Sequence, residues 1–265
     1  MASYTQLVDA HANARDRLDA QAVKAVRTAL LGFDGWYSDA KVRDMAAQLV
    51  KQIEATQRQT ANLTNAYLQR VAQAVIGKAT GAVPIVSVAD LREGTDHVSV
   101  YERLGATYRY AASTGASPSE ALATTLARGA AMGQMDNLLA LRGQTRQFMR
   151  SSGRITGYRR IVRPELSRSG SCGLCAVASD QVYHTDDLMP IHEHCKCDVL
   201  PIAGGKDPGR QLNEDEFKAL YGAAGSTDGR DLKKVSVVVH QHGELGPVLR
   251  LAGQNFRGPT EVAAA

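Results

Sequence analysis

Apolar side chains recur at every third or fourth position through the N-terminal half of the chain, the spacing of helices that bury one face. Leu7, Leu18, Val23, Val26, Leu30 and Leu31 predict a first helix from Leu7 to Leu31, and Gly32 to Gly35 read as a break. Ser38 or Asp39 can cap a second helix, whose inward positions run Val42, Met45, Leu49, Ile53, Thr56, Thr60, Leu63, Tyr67, Val71 and Val75. No Pro or Gly interrupts it, so it extends over roughly 35 residues, about 50 Å at the helical rise. One small core cannot cover such a helix. It should pair with a neighbouring helix as a long hairpin or bridge subunits.

Gly77 to Gly81 and Pro84 end this part, and Ile85, Val86 and Val88 are expected to form a short extended connection. His97 to Thr114 is helical again by its period. Ser117, Pro118, Ser119 and Glu120 then give a strong start signal, Ser as cap, Pro in the first turn and Glu three residues on to reach back. The helix that follows, Pro118 to about Met149, carries Gly129 and Gly133 one turn apart, which permits close approach of another helix. After Gly153 the period shortens, and Ile155, Tyr158, Ile161 and Val162 read as one strand near 155–163. A cysteine segment follows and ends in Val199, Leu200 and Ile202. Residues 203–232, rich in Gly, Asp and Lys, look like a linker with one short helix from Asn213 to Tyr221. Val235, Val237 and Val239, then Val248 and Leu251, flank a turn and predict a β-hairpin. The expectation is an α+β chain in three parts: a helical hairpin over 1–81, a helix-plus-strand domain with a cysteine knuckle over 82–202, and a linker with a C-terminal hairpin over 203–265.

Composition changes this picture little. Hydrophobic residues make up 44% and aromatics 5%, which suits helices packed through small side chains in a globular chain. The formal charge of +4 is too mild to establish a nucleic-acid partner by itself. No stretch approaches the roughly 20 apolar residues of a membrane span, so no membrane association is expected. The first residues lack an apolar core of signal-peptide length, so export by the usual route is not expected either.

The chemistry is concentrated in one segment, where all 4 cysteines fall between positions 172 and 197. Cys172 and Cys175 form a CxxC knuckle, whose spacing lets two thiolates face one ion. His192, Cys195 and Cys197 supply a second half downstream. Tetrahedral zinc needs four such ligands, and His184 and His194 add to the choice. A structural zinc ion held by Cys172, Cys175, His192 and either Cys195 or Cys197 is the leading expectation. A pair of disulfides, or thiols buried as small apolar groups, are the alternatives. Four protein ligands would leave no open position for water, which argues for a structural rather than catalytic ion.

Tyr158, Arg159, Arg160, Ile161 and Val162, then Cys172, Gly173, Leu174 and Cys175, then Pro190, Ile191, His192, Glu193, His194, Cys195, Lys196 and Cys197 together resemble the C-terminal part of the MuF-like phage head-morphogenesis domain. That family shows a CxxC, a polar interval and a closing PxHxxCxC, and the closing motif is matched at every stated position. The resemblance covers roughly residues 98–202 and is specific in its last forty or so. The overall layout also looks like the minor capsid proteins of actinobacterial tailed phages, whose products are often labelled capsid maturation proteases. It implies a virion protein on the inner side of the head near the portal, assembled in the host cytoplasm, with the portal and major capsid proteins as partners and packaged double-stranded DNA as a further contact. An ADP-ribosylating activity, sometimes fused to such domains, is not expected, since the region after Pro201 shows no acidic motif for it.

Beside the cysteines lies a basic run, Arg142, Arg146, Arg150, Arg154, Arg159, Arg160, Arg163 and Arg168, opposed only by Glu165. The first three recur every fourth residue on one helix face. They suit phosphate or an acidic portal surface, and equally an ordinary solvated face with local carboxylates. Without interleaved aromatics, any DNA contact should be to phosphate and independent of sequence. Proteolysis is the runner-up function. A Cys172 or Cys175 thiolate with His192 can be drawn as a dyad, but no GxSxG elbow is present, and the neighbouring cysteines make metal the simpler account. His240 and His242, one residue apart in the hairpin, share a strand face and read as exposed polar residues.

Overall fold

The computed structural model describes residues 3–78, 80–92, 94–163, 178–185, 197–214, 218, 237–242 and 246–251, the last two segments as backbone alone. Each long helix begins on a side chain that satisfies an orphan backbone amide. Helix α1, Tyr4–Leu30, starts in a capping box between Ser3 and Gln6. Helix α2, Asp39–Ile76, is capped by Ser38 and ends at Gly77, whose φ of 83° is the left-handed conformation that glycine adopts without strain. Asp96 caps α3, His97–Ser113, by accepting from the Ser99 amide. Helix α4, Pro118–Ser151, begins in the capping box of Ser117 and Glu120 with Pro118 in its first turn.

These four helices pack together, and α2, at 38 residues and about 57 Å, runs the length of the bundle. Two apolar clusters occupy it. The first joins Val26 and Leu30 of α1, Leu49 and Ile53 of α2, Tyr101 and Leu104 of α3 and Ala121 of α4, with Trp36 from the α1–α2 turn. Close approach depends on missing side chains: a Cβ on Gly129 would lie 2.7 Å from Val26 Cγ1, and one on Gly105 would lie 2.8 Å from Val42. The second cluster joins Val8 of α1, Leu68, Val71 and Val75 of α2 and Phe148 of α4 to Tyr158 and Leu200 of the sheet.

That sheet follows the bundle. Strand β1, Gly157–Ile161, lies between β2, Val182–Tyr183, and β3, Asp198–Ile202, and pairs antiparallel with both. Its register with β3 runs from Gly157 opposite Ile202 to Ile161 opposite Asp198. All five β1 residues are buried, because helices cover one side and the short helix α5, Pro208–Leu212, packs against it. Gly209 fits beside Ile161 and Arg159 only because it has no Cβ. The buried Asn213 donates to the Arg160 carbonyl at 2.7 Å and accepts from the Val162 amide at 3.2 Å. The molecule is therefore α+β, a four-helix region followed by a small three-stranded antiparallel sheet. Strands β4, Val237–His242, and β5, Gly246–Leu251, form the predicted hairpin, with His240 opposite Val248. Among the described residues no helix is long and apolar enough to cross a membrane.

Several expectations change. Residues 203–214 are no linker, since Ala203, Gly209 and Asn213 are buried against the sheet. The expected helix from Asn213 to Tyr221 lies mostly outside the described residues. The segment around Val88 forms a 3-10 turn, Val88–Asp90, rather than an extended run. On α1, Leu18 and Val23 are half-buried and Leu31 is exposed, because the interior face is built from Ala12, Ala22 and Ala25 instead.

Candidate functional site

Strand β3 begins one residue after the last cysteine, and its first residue is the focus of the site. Asp198 is 1% exposed. Its Oδ1 accepts from Nδ1–H of His11 at 2.7 Å and from Nη1–H of Arg15 at 2.9 Å. Both donors come from α1, one turn apart, on its buried face. Arg15 also reaches the Cys197 carbonyl at 3.4 Å. The His11 ring stacks on Tyr67 of α2 with centroids 4.1 Å apart and planes within 5°, and the Tyr67 hydroxyl donates to the Val199 carbonyl at 3.0 Å. Two helices are thereby fastened to the first residues of β3. Burial alone would push the Asp198 carboxyl up, but His11, Arg15 and Arg163 outweigh it and hold it below its ordinary value. Burial, reinforced by Asp198, keeps the Tyr67 phenol well above its ordinary value and so neutral.

Asp198 Oδ2 has no hydrogen-bond partner among the described residues, although it is buried. A buried carboxylate oxygen normally has one. The geometry also superficially matches a hydrolytic triad, since Thr64 Oγ1 lies 3.5 Å from His11 Nε2. Thr64 and His11 are 1% and 3% exposed, and the stacked Tyr67 covers the ring, so no substrate reaches that hydroxyl. As it stands, the cluster is a strut between helices and sheet.

Of the predicted metal ligands, Cys197 is described and buried, packed against Met135 and Leu138 of α4 and against Val162. Cys172, Cys175, His192 and Cys195 lie outside the described residues, as does His194. His184 is exposed beside β2. Among the described residues no group of three or more His, Cys, Asp or Glu is placed to hold a metal. Of the proposed donors only the Cys197 thiol is described, buried in an apolar cluster one residue before the buried Asp198.

The arginines divide. Arg142, Arg159 and Arg160 are buried, while Arg146, Arg150 and Arg154 are exposed along the end of α4 and just beyond it. Arg159 is committed internally, to Asp207 at 2.6 Å and to the Ser179 and Asp180 carbonyls. Arg163 pairs with Asp9 of α1 at 2.8 Å. Arg168 lies outside the described residues. The solvent-facing cations are therefore fewer than the sequence run suggests.

A second buried carboxylate, Asp136 of α4, gathers Arg92 at 2.7 Å and the Tyr101 hydroxyl at 2.7 Å, with His97 Nε2 at 3.6 Å, an electrostatic contact. His97 also meets Glu54 of α2 at 3.4 Å. Burial opposes the charged ring of His97, yet Asp136 and Glu54 together raise its pKa above the ordinary value. Sequence reading did not single out His11, Arg15, Asp198 or Asp136. The available signal was a basic pair one turn apart on the apolar face of α1 and an acidic residue directly after the cysteine motif. Comparison with family models, with curated proteins and with solved structures finds no match to this chain.

Proposed function

We propose that the chain is a structural minor capsid protein that acts in phage head assembly at the portal vertex, on the inner side of the capsid. In this reading, Cys172, Cys175, His192 and either Cys195 or Cys197 hold one structural zinc ion. The knuckle so formed presents a rigid surface to the portal and major capsid proteins. Arg146, Arg150 and Arg154 face packaged double-stranded DNA or acidic portal surface.

The observation that carries this reading is the pairing of Asp198 with His11 and Arg15. It ties the end of the PxHxxCxC segment to the helical bundle, which is what a load-transmitting scaffold needs and what a mobile catalytic loop avoids. The segment from Ser171 to Val199 has few apolar residues of its own, so metal binding should be coupled to its folding.

Replacing a ligand separates structural from proteolytic use of the cysteines. Cys172→Ser should lose zinc and melt at lower temperature, and heads should fail to assemble. A catalytic thiol predicts the opposite: a Cys172→Ser protein of unchanged stability and metal content, with head proteins left uncleaved. That second outcome would replace this reading with the capsid maturation protease.

A further inference from the structure

His97, the first residue of α3, is 8% exposed and lies between acidic side chains from two other helices. Its Nδ1 faces Glu54 Oε1 of α2 at 3.4 Å. Its Nε2 faces Asp136 Oδ1 of α4 at 3.6 Å and has no hydrogen-bond partner among the described residues. A neutral imidazole has one N–H and one bare lone pair, so it can serve only one of these oxygens and must turn a lone pair toward the other. Only the doubly protonated ring presents a proton to both. The surrounding charges lead the same way. Arg92, in the connection between α2 and α3, is bound to Asp136 at 2.7 Å, and Arg58 meets the other oxygen of Glu54 from an exposed position. With a neutral ring, two carboxylates face one buried guanidinium; with a charged ring the interior group balances. Burial disfavours the charged ring and Arg92 adds to that, yet Asp136 and then Glu54 outweigh both and raise its pKa.

We propose that His97 is a pH-sensitive latch: its imidazolium holds the first turn of α3 against α2 and α4, and loss of the proton releases that turn while the remainder of the bundle stays folded. The latch does not depend on the metal reading. Once released, the turn is held only by its cap, the exposed Asp96 carboxylate that accepts from the Ser99 amide at 2.8 Å, and it frays. The chain before it is fastened separately. Buried Gln144 of α4 accepts from the Val86 amide at 2.9 Å and donates to the Pro84 carbonyl at 3.1 Å. These contacts do not titrate, so they limit the opening on the side of α2. The fully buried Tyr101, in the first apolar cluster, limits it along α3. The closed turn binds the proton more tightly than the open one. Closure is therefore favoured below about pH 6.5, the ordinary value, and weakens as pH rises through the raised one.

Hydrogen exchange of the full chain, followed at the Ser99 and Val100 amides and corrected for the intrinsic rate at each pH, tests this. In the wild type their protection should fall by more than about threefold between about pH 5.5 and 8.5, since each unit by which closure raises the pKa is worth about tenfold. It should also stay below that of the Val71 amide in the buried part of α2, because the turn opens without global unfolding. His97→Gln never carries the proton, and its turn should show the same protection at both pH values. Glu54→Gln gives the ring an amide that can pair with either nitrogen state, so the pH-dependent fall should shrink. Wild-type protection unchanged by pH, equal protection at the turn and at Val71, or an undiminished fall in His97→Gln each overturns the proposal. Should His97→Gln fail to fold, Glu54→Gln decides, and a fall as large as that of the wild type overturns the latch.

Discussion

Asp136 shows how much a single interior residue contributes. Arg92 donates to its Oδ1 from both Nε, at 2.8 Å, and Nη2, and the Tyr101 hydroxyl donates to its Oδ2. Asp136→Ala leaves the buried Arg92 guanidinium without its carboxylate and should cost about 3–5 kcal/mol in urea unfolding. A surface pair such as Arg43 with Glu102 should be worth at most about 1 kcal/mol, because solvent already screens it. Equal effects of Asp136→Ala and Arg43→Ala would contradict this ranking. His97 adds a pH dependence with a definite sign. Its folded pKa is raised, so its stabilising contribution is complete below about pH 6.5, the unfolded value, and disappears as pH rises through the folded one. The groups that face it are Glu54 from α2, Asp136 from α4, and Arg92, which pairs with Asp136. His97→Gln should therefore lower the melting temperature most near about pH 5.5 and least near about pH 8.5. A gap that widens with pH would show the sign to be wrong. None of these pairings was legible beforehand, because residues far apart in sequence form them: His11 and Asp198 are 187 positions apart.

Elements were far more legible than their interactions, since caps and periodicity act within a few residues. The capping box of Ser117 and Glu120 stands where its residue order places it, and Ser117→Ala should cost about 1 kcal/mol of stability. On α2, Val42, Leu49 and Ile53 face the core as their spacing requires, while Leu63 is half-buried and Thr64 takes the interior place. Leu63 sits at the flank of the buried stripe, and hydrophobicity alone cannot distinguish flank from centre. The glycines of α4 were correctly read as points of close approach. Gly129→Val forces branched carbon into the space of Val26 and should destabilise by about 1–3 kcal/mol, measured by chemical denaturation. A stabilised variant would mean that α1 yields there at no cost. Strand β1 was visible from its β-branched and aromatic residues, but its partners β2 and β3 were not, and α5 was hidden in a Gly-rich stretch that composition marks as linker. Its packing depends on Gly209 and Asn213 meeting β1, a non-local fact.

At the scale of the whole molecule, a four-helix platform carries a small sheet whose last strand emerges from the cysteine motif. The motif itself was legible from residue types and spacing. Its anchorage was not, because the helix that supplies it is at the other end of the chain. The exposed cations at the end of α4 give the platform a charged side. Charge reversal at Arg146, Arg150 and Arg154 should weaken binding to duplex DNA and reduce the salt slope by about 2–3, with the fold unchanged. Unaltered binding would return these residues to an ordinary solvated face. The proposed role requires that this chain remain in the head as a structural part of the portal vertex. Locating it in intact mature particles tests that claim most directly. The account predicts retained, portal-proximal density on the inner side of the capsid; a chain required for assembly yet absent from mature particles would contradict it.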